Sequence, residues 1–469
     1  MMRPRNKRRL GSSTSSTRSS AGKSLGRKFA WTVLLLIIAF AAVAGFILFE
    51  NGKPQLTLDK ELRFLGGPVE IQLHAVDTQS GIRNISVTLE QNGKEHQLFS
   101  RQYPRQAWLT QAGPDNVSET VMLNIQEVKE IQEGPAQLTV TASDFSLNRK
   151  LLGNAATLSS QVTIDTKPPK VLIEHAQLSI ASGGSGIVVY SVSEPSSHHG
   201  VMIDDIFFQG FPLKGSDSRR IAYIALPWNS ERPESTRVVA VDQAGNEGNA
   251  AFSIYYKKAK EKKDRINVSD GFLKKKIPEF EDSYPELAGT DLEKYLFVNS
   301  TIRQRNAQKI AELCSRTAEE QLWHDRFLRM PGAGKAGFAD QRTYYYQGEP
   351  IDHQTHLGID LASTARVEIE AANRGEVVFA DYLGIYGNTV ILDHGQGLAS
   401  LYSHLSRIST EKGRMVEKGE QVGNSGATGM AGGDHLHFSM LVHGIFVTPV
   451  EWWDQHWIDV NINNNNINE

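Results

Sequence analysis

The sequence has 469 residues, one cysteine, fourteen histidines and a formal net charge of −3. That length points to several domains, because single cores stop growing near about 250–300 residues. One cysteine excludes an internal disulfide framework and a multi-cysteine zinc finger, and the near-neutral total excludes a chain-wide nucleic-acid footprint.

The total charge averages unlike segments. Residues 1–28 hold nine Lys or Arg and no acid, which leaves −12 for the rest. This stretch is rich in Ser, Thr and Gly, cannot bury a core, and reads as a disordered basic tail. Residues 29–49 follow without a charge. At about 1.5 Å per residue they span roughly 30 Å, the thickness of a bilayer core. Cations on one side alone place the tail in the cytoplasm and the body outside. A cleaved signal peptide ending at Ala42-Val43-Ala44 is the competing reading. The apolar run continues through Phe46-Ile47-Leu48-Phe49, longer than an h-region of about 7–15 residues, so a single transmembrane anchor is expected.

Residues 53–167 and 168–257 read as β. Glu70-Ile71-Gln72-Leu73-His74-Ala75-Val76-Asp77 alternates apolar and polar, as does Gln137-Leu138-Thr139-Val140-Thr141-Ala142. Gln91-Asn92-Gly93 and Gly183-Gly184-Ser185-Gly186 break such runs. Ala142-x-Asp144-x-Ser146-x-Asn148 recurs as Ala240-x-Asp242-x-Ala244-x-Asn246, and Ser80-Gly81-Ile82 as Ser185-Gly186-Ile187. The repeat length is that of an immunoglobulin-like sandwich of roughly 100 residues. Short polar side chains at such turns bond their own backbone. Val241-Asp242-Gln243-Ala244-Gly245-Asn246 resembles the closing turn of bacterial immunoglobulin-like repeats, and Thr166-Lys167-Pro168-Pro169 resembles the linker between two of them. The resemblance implies two spacer domains, with cell-envelope protein partners or wall glycan as the functional alternative.

Residues 258–330 read as a linker with a helical segment. Lys257, Lys258, Lys260, Lys262 and Lys263 suggest a solvated stretch. Thr290-Asp291-Leu292-Glu293 is a capping box, and Leu296, Ile302, Ile310 and Leu313 give an imperfect apolar helix face. Cys314 has no catalytic partner pattern and reads as a small core residue.

Eight of the fourteen histidines follow residue 350. His356-Leu357-Gly358-Ile359-Asp360 sets a His and an Asp four apart, which share a face on a strand or a helix. His435-Leu436-His437 sets two histidines on one side of a strand, with Leu436 on the other. Imidazole nitrogens and a carboxylate oxygen suit zinc, and three protein ligands leave a position for water. Frequent glycines punctuate short strands such as Gly375-Glu376-Val377-Val378-Phe379-Ala380 and Asn388-Thr389-Val390-Ile391-Leu392-Asp393, the pattern of a compact β domain.

Residues 331–457, and 345–452 most closely, resemble the lysostaphin-type (LytM-like) zinc endopeptidases that cut peptidoglycan cross-bridges. The matching pieces, in the family's order, are His356-Leu357-Gly358-Ile359-Asp360, Ala371-Ala372-Asn373-Arg374-Gly375-Glu376-Val377-Val378, Gly384-Ile385-Tyr386-Gly387-Asn388-Thr389-Val390, Tyr402-Ser403-His404-Leu405, Gly423-Asn424-Ser425-Gly426-Ala427-Thr428-Gly429 and His435-Leu436-His437-Phe438. The resemblance implies that His356, Asp360 and His437 bind Zn2+ and that His404 and His435 are the catalytic pair, with base and oxyanion roles open between them. Asp434 stands where the family often has proline and reads as a turn residue. His394 reads as structural. His353, His443 and His456 read as surface residues. Tyr344, Tyr345, Tyr346 and Tyr386 read as packing, with a substrate groove as the alternative.

The expected fold is mainly β: an N-terminal transmembrane helix, two immunoglobulin-like sandwiches, a helical linker, a C-terminal LytM-like antiparallel β domain, and a disordered tail over 458–469. The expected activity is zinc-dependent hydrolysis of peptidoglycan cross-links from a single-pass inner-membrane anchor, with the body in the periplasm and no nucleic-acid partner. The alternative is a non-catalytic activator or scaffold of another wall hydrolase. The helical segment reads as a structural stalk. Its alternative is an autoinhibitory cover supplying His324 or Asp325 as a fourth ligand.

Overall fold

The computed structural model describes residues 21–108, 111–216 and 218–463. Most of the tail expected over 1–28, and the last six residues of the chain, lie outside them. The fold is mainly β, and the chain divides into two units, Met1–Thr166 and Lys167–Glu469.

In the first unit, helix α1 (Ala21–Leu48) contains a stretch, Arg27–Leu48, long and apolar enough to cross a membrane. Its end is tied down at once: the Leu147 N–H donates to the Leu48 carbonyl at 2.7 Å. Two sheets follow. Gln55–Leu58, Val69–Val76 and Asn116–Leu123 form one. Phe64–Leu65, Ala155–Ile164, Gly134–Asp144, Ile82–Gln91 and Lys94–Gln102 form the other. The alternating runs place Ile71, Leu73 and Ala75 against Val87, Leu89, Leu138 and Val140 in one core, because period-2 patterning turns every second side chain inward. Asn92 and Gly93, both at positive φ, close the hairpin between Gln91 and Lys94, the geometry that two-residue loops require.

The second unit begins with two four-stranded sheets. Phe211–Pro212, Arg219–Ala225, Ser185–Val192 and Val171–Ala176 make the first; Ile206–Gln209, Ser196–Ile203, Thr236–Asp242 and Glu247–Ala251 make the second. The lysine-rich stretch then departs from the linker reading. Its second half is strand β1 (Lys263–Val268), paired in parallel with β2 (Asp340–Tyr346). The charged residues Lys263 and Arg265 are exposed, while Ile266 and Val268 turn inward. Period-2 placement of just these two apolar residues suffices for a half-buried strand.

Helices α2 (Asp270–Glu281), α3 (Asp291–Phe297) and α4 (Arg303–Leu313) follow. The Thr290–Glu293 capping box forms as read. Cys314 is buried, and burial pushes its thiol up to about 12, so it is no nucleophile. Strand β3 (Glu349–His356) pairs with β2. Strands β4 (Ile359–Ala362), β5 (Leu398–Leu405) and β6 (Leu436–Val442) belong to an eight-stranded sheet, where β6 lies between β4 and β5.

The two halves of this unit share one core. It runs from Ile187, Tyr223 and Val238 through Trp323, Phe327 and Trp452 to Val390 and Phe438. Two sequence readings fail there. His443, read as a surface residue, packs against the rings of Phe208 and Phe211 at 5.9 and 6.0 Å, and burial pushes its imidazole down to about 4. Residues 458–463, read as disordered tail, continue as helical turns with Ile462 fully buried. Both residues are apolar or aromatic partners for a surface that is remote in sequence, so local polarity misreads them.

Glu451 sits in the same region. Its Oε2 accepts from the Ser185 N–H at 2.9 Å and the Ser185 Oγ–H at 2.8 Å, and burial raises its carboxyl to about 7 despite these bonds. The folded protein therefore holds a proton that the unfolded chain releases near an ordinary glutamate value. Stability is expected to fall as pH rises through that window up to about 7, by on the order of 3 kcal/mol, and to level off above it. Glu451→Gln keeps the shape and removes the ionisation. Thermal unfolding at pH 5 and pH 8 should show the variant near wild type at the lower pH and more stable at the higher. Parallel behaviour of the two proteins across that range would refute the assignment.

Candidate active site

Strand register assembles the site. Asp360 on β4 lies opposite His437 on β6, and Ser403 on β5 lies opposite His437 from the other side. His404 is the next residue and has a φ of 62°. A non-glycine residue in that region stores strain of about 1–3 kcal/mol, tolerated where function requires the orientation. Here it turns the His404 ring toward His435 and His437, with centroids at 4.9 and 5.8 Å.

His356 reaches the same point from β3, in a different sheet from Asp360. The spacing of four thus works through a bend at Leu357-Gly358 and not through one shared face. The bend needs glycine, since a Cβ on Gly358 would lie 2.5 Å from His437 Cε1 and Nε2.

His356 Nε2, Asp360 Oδ1 and His437 Nδ1 converge, with each pair 2.9 Å apart. Hydrogen bonds at the far side of each ring decide what these atoms present. His356 Nδ1 donates to the Gly337 carbonyl at 2.8 Å, so in the neutral ring Nε2 is bare. The Ser439 hydroxyl donates to the Leu357 carbonyl at 2.8 Å and therefore accepts from His437 Nε2 at 3.1 Å, which leaves Nδ1 bare. Burial holds the His437 imidazole down at about 4, against the opposing pull of Asp360. Arg342 Nη2 donates to Asp360 Oδ2 at 3.0 Å, which leaves Oδ1 for the centre. Three lone pairs thus meet without a hydrogen among them, an arrangement that calls for a cation. Two imidazoles and one carboxylate are a zinc donor set, with far-side bonds of the kind that orient metal-binding histidines.

The other two histidines flank this triangle. His404 Nδ1 donates to the Thr428 carbonyl at 2.9 Å, and His435 Nδ1 to the Gly433 carbonyl at 2.8 Å. His435 Nε2 lies 3.6 Å from Asp360 Oδ1. Burial and the neighbouring rings of His435 and His437 hold His404 well below the usual histidine range. For His435, burial acts downward but the Asp360 carboxylate outweighs it and raises the value. Burial also opposes ionisation of Asp360, yet the surrounding imidazoles of His356, His435 and His437 keep it well below the usual carboxylate range.

These groups open into a cavity of about 290 Å3. One wall comes from upstream: Val268 of β1, Phe272 of α2, Tyr295 of α3, Arg303 of α4, and Arg342 and Tyr344 of β2. Lys276 and Glu279 of α2 bind the opposite rim through the Ala427 carbonyl and the Gly429 N–H. Sequence reasoning missed this wall because no spacing links residues 266–303 to residues 356–437. The apolar alternation at Ile266 and Val268 was the one available signal.

Other readings resolve. Tyr386 and Tyr344 line the cavity; Tyr345 stacks under Arg265 and Tyr346 donates to Asp270. His394 is fully buried between the Arg374 carbonyl and Ser400. Asp434 accepts from Ser425 Oγ at 2.6 Å and the Arg366 N–H at 3.1 Å, which makes it a turn residue. His353 and His456 are exposed. His324 and Asp325 pair with one another at an exposed position and do not line the cavity, so neither supplies a fourth ligand here.

The model of Peptidase family M23 matches residues 354–449. These residues form an M23 peptidase domain. The chain is 38% identical over 107 residues to the DD-carboxypeptidase/endopeptidase Mpg of Neisseria meningitidis serogroup B, across 22% of its own length and 25% of that protein. It is 36% identical over 89 residues to the peptidoglycan DD-endopeptidase ShyA of Vibrio cholerae, across 19% of this chain and 21% of that one. The chain therefore spans a quarter or less of the length of these curated relatives. Among solved structures, the catalytic domain of lysostaphin from Staphylococcus simulans covers 26% of this chain and 92% of its own, at 26% identity and a TM-score of 0.23. Everything in the cavity wall from Val268 to Tyr344 lies outside the M23 match.

Proposed function

We propose that this chain is a zinc-dependent endopeptidase that hydrolyses peptide cross-links of bacterial peptidoglycan. The observation that carries the reading is the 2.9 Å convergence of His356 Nε2, Asp360 Oδ1 and His437 Nδ1, in a chain whose relatives are named as a DD-carboxypeptidase/endopeptidase and a peptidoglycan DD-endopeptidase. Those names favour a D,D cross-link from D-alanine to a diamino acid as the bond cut.

His356, Asp360 and His437 would hold the metal. Zinc bound there would polarise the scissile carbonyl and lower the pKa of water toward about 7. Arg342 keeps the Asp360 carboxylate turned so that one oxygen faces the centre. His404 and His435, each anchored through Nδ1 to a backbone carbonyl, direct Nε2 at the reacting atoms. One Nε2 takes the proton of the attacking water, and the other, protonated, donates to the developing oxyanion. The wall of Val268, Phe272 and Tyr295 restricts water and gives the peptide an apolar surface.

The same reading makes α1 a single-pass anchor in the inner membrane, with the body in the periplasm, and makes the two upstream sandwiches immunoglobulin-like spacers that reach the wall or envelope proteins. A non-catalytic activator would be expected to have lost one of the five site residues, and all five are in place. The test is zinc analysis of the purified full-length protein followed by incubation with purified peptidoglycan and identification of the products. Release of uncross-linked stem peptides by the zinc-loaded protein is expected. Stoichiometric zinc with unchanged cross-linking would refute the activity.

A further inference from the structure

A second convergence of ligand atoms lies in the first unit, where the chain leaves α1. Glu50, Asp77 and Asp144 each bring a carboxylate oxygen within 4.8 Å of the other two. Asp77 is 7% exposed and Asp144 is fully buried. The ion pairs among the described residues of this unit, Arg63–Glu61, Lys94–Glu130 and Arg101–Glu119, involve none of the three. Packing three carboxylates together away from water without a cation is costly, because each loses solvation and repels the others.

Most of the oxygens have donors. Asp144 Oδ1 accepts the N–H groups of Ser146 and Asn154 at 2.9 and 2.7 Å, and its Oδ2 accepts from Asn154 Nδ2 at 2.9 Å. Glu50 Oε1 accepts from Ser80 Oγ and Asn154 Nδ2, both at 3.0 Å. Asp77 Oδ1 accepts the Gln79 N–H at 2.8 Å. Asp77 Oδ2 is different: it is buried and has no partner. A buried carboxylate oxygen without a donor is costly, and the turn chemistry around it does not explain it.

We propose that Glu50, Asp77 and Asp144 bind one calcium ion. The donors are all oxygen, with no imidazole or thiolate, which suits a hard cation and not zinc. The orphaned Asp77 Oδ2 gains a partner, and the three negative charges are largely neutralised. The Glu50 carbonyl already accepts from Ser146 Oγ, Asn148 Nδ2 and Asn154 Nδ2, so the remaining coordination positions are left to water. Because Glu50 lies two residues beyond α1 while Asp77 and Asp144 belong to the sandwich, the ion clamps the helix exit onto the first sandwich. Without it, carboxylate repulsion loosens that joint.

The experiment uses full-length protein in detergent, stripped of free divalent ions, with calcium chloride as titrant and bound calcium measured by equilibrium dialysis and calorimetry. Wild type is expected to bind with a dissociation constant of roughly 10−4 to 10−3 M, the range of extracellular calcium modules, and to unfold at a higher temperature with calcium present. Asp77→Asn should bind one ion fewer and lose the thermal shift. Glu50→Gln, at a half-exposed position, should do the same if the Asn variant fails to fold. His437→Ala should bind calcium as wild type does, which separates this site from the peptidase centre. Undiminished calcium binding in folded Asp77→Asn or Glu50→Gln, or no binding by wild type up to about 10 mM, overturns the proposal.

Discussion

His437→Ala is expected to lose zinc and hydrolysis together. His437 supplies one of only three converging ligand atoms, and it is fully enclosed, so no neighbouring side chain replaces it. Zinc chemistry contributes several kcal/mol to peptide hydrolysis, and each tenfold in rate is worth about 1.4 kcal/mol, so the loss in kcat/KM is at least about 10^3-fold. Metal analysis should find zinc well below one per chain in a variant whose far-ultraviolet circular dichroism matches wild type. Chelation of wild-type protein should reproduce the loss, and added zinc should reverse it for wild type alone. Wild-type cleavage of peptidoglycan by the variant would remove His437 from the centre.

His404→Ala separates metal binding from proton transfer. His404 lies beside His437 and His435 with ring centroids at 5.8 and 4.9 Å, but its nitrogen Nδ1 is engaged by the Thr428 carbonyl and the ring is not one of the three converging groups. Zinc should therefore stay at the wild-type level while kcat/KM falls by roughly 10^2- to 10^4-fold, the range for removing a positioned acid or base. The pairing of the two variants is informative because both remove a buried imidazole from one strand neighbourhood. A purely structural role for His404 predicts loss of zinc and of thermal stability in parallel. Wild-type turnover by the folded variant would end its assignment to the catalytic pair.

Much of the site was readable from local motifs. H-x-x-x-D, the S-H-L at the end of β5 and the H-x-H opening β6 each carry their chemistry within five residues, so a short window contains the signal. The reading of His356 and Asp360 as sharing one face was wrong in mechanism though right in outcome. They sit in different sheets and meet through the bend at Gly358. Arg342 was out of reach for a different reason. A single arginine on a strand has no spacing signature, and its role depends on an Asp eighteen residues away that only strand pairing brings within 3.0 Å.

The mainly β character, the apolar segment of α1, the capping box at Thr290 and the five metal-site and catalytic candidates were determined by the sequence itself. Each rests on periodicity or short-range chemistry, which neighbouring residues encode directly. The continuous core joining the second sandwich to the peptidase sheet, the burial of His443 and Ile462, the upstream wall of the cavity and the unpartnered oxygen of Asp77 were decided by tertiary structure alone. Those features depend on which distant surfaces meet. Burial of an apolar face is favourable against any partner of the right shape, so the pattern announces that a face is buried and leaves its partner to the fold.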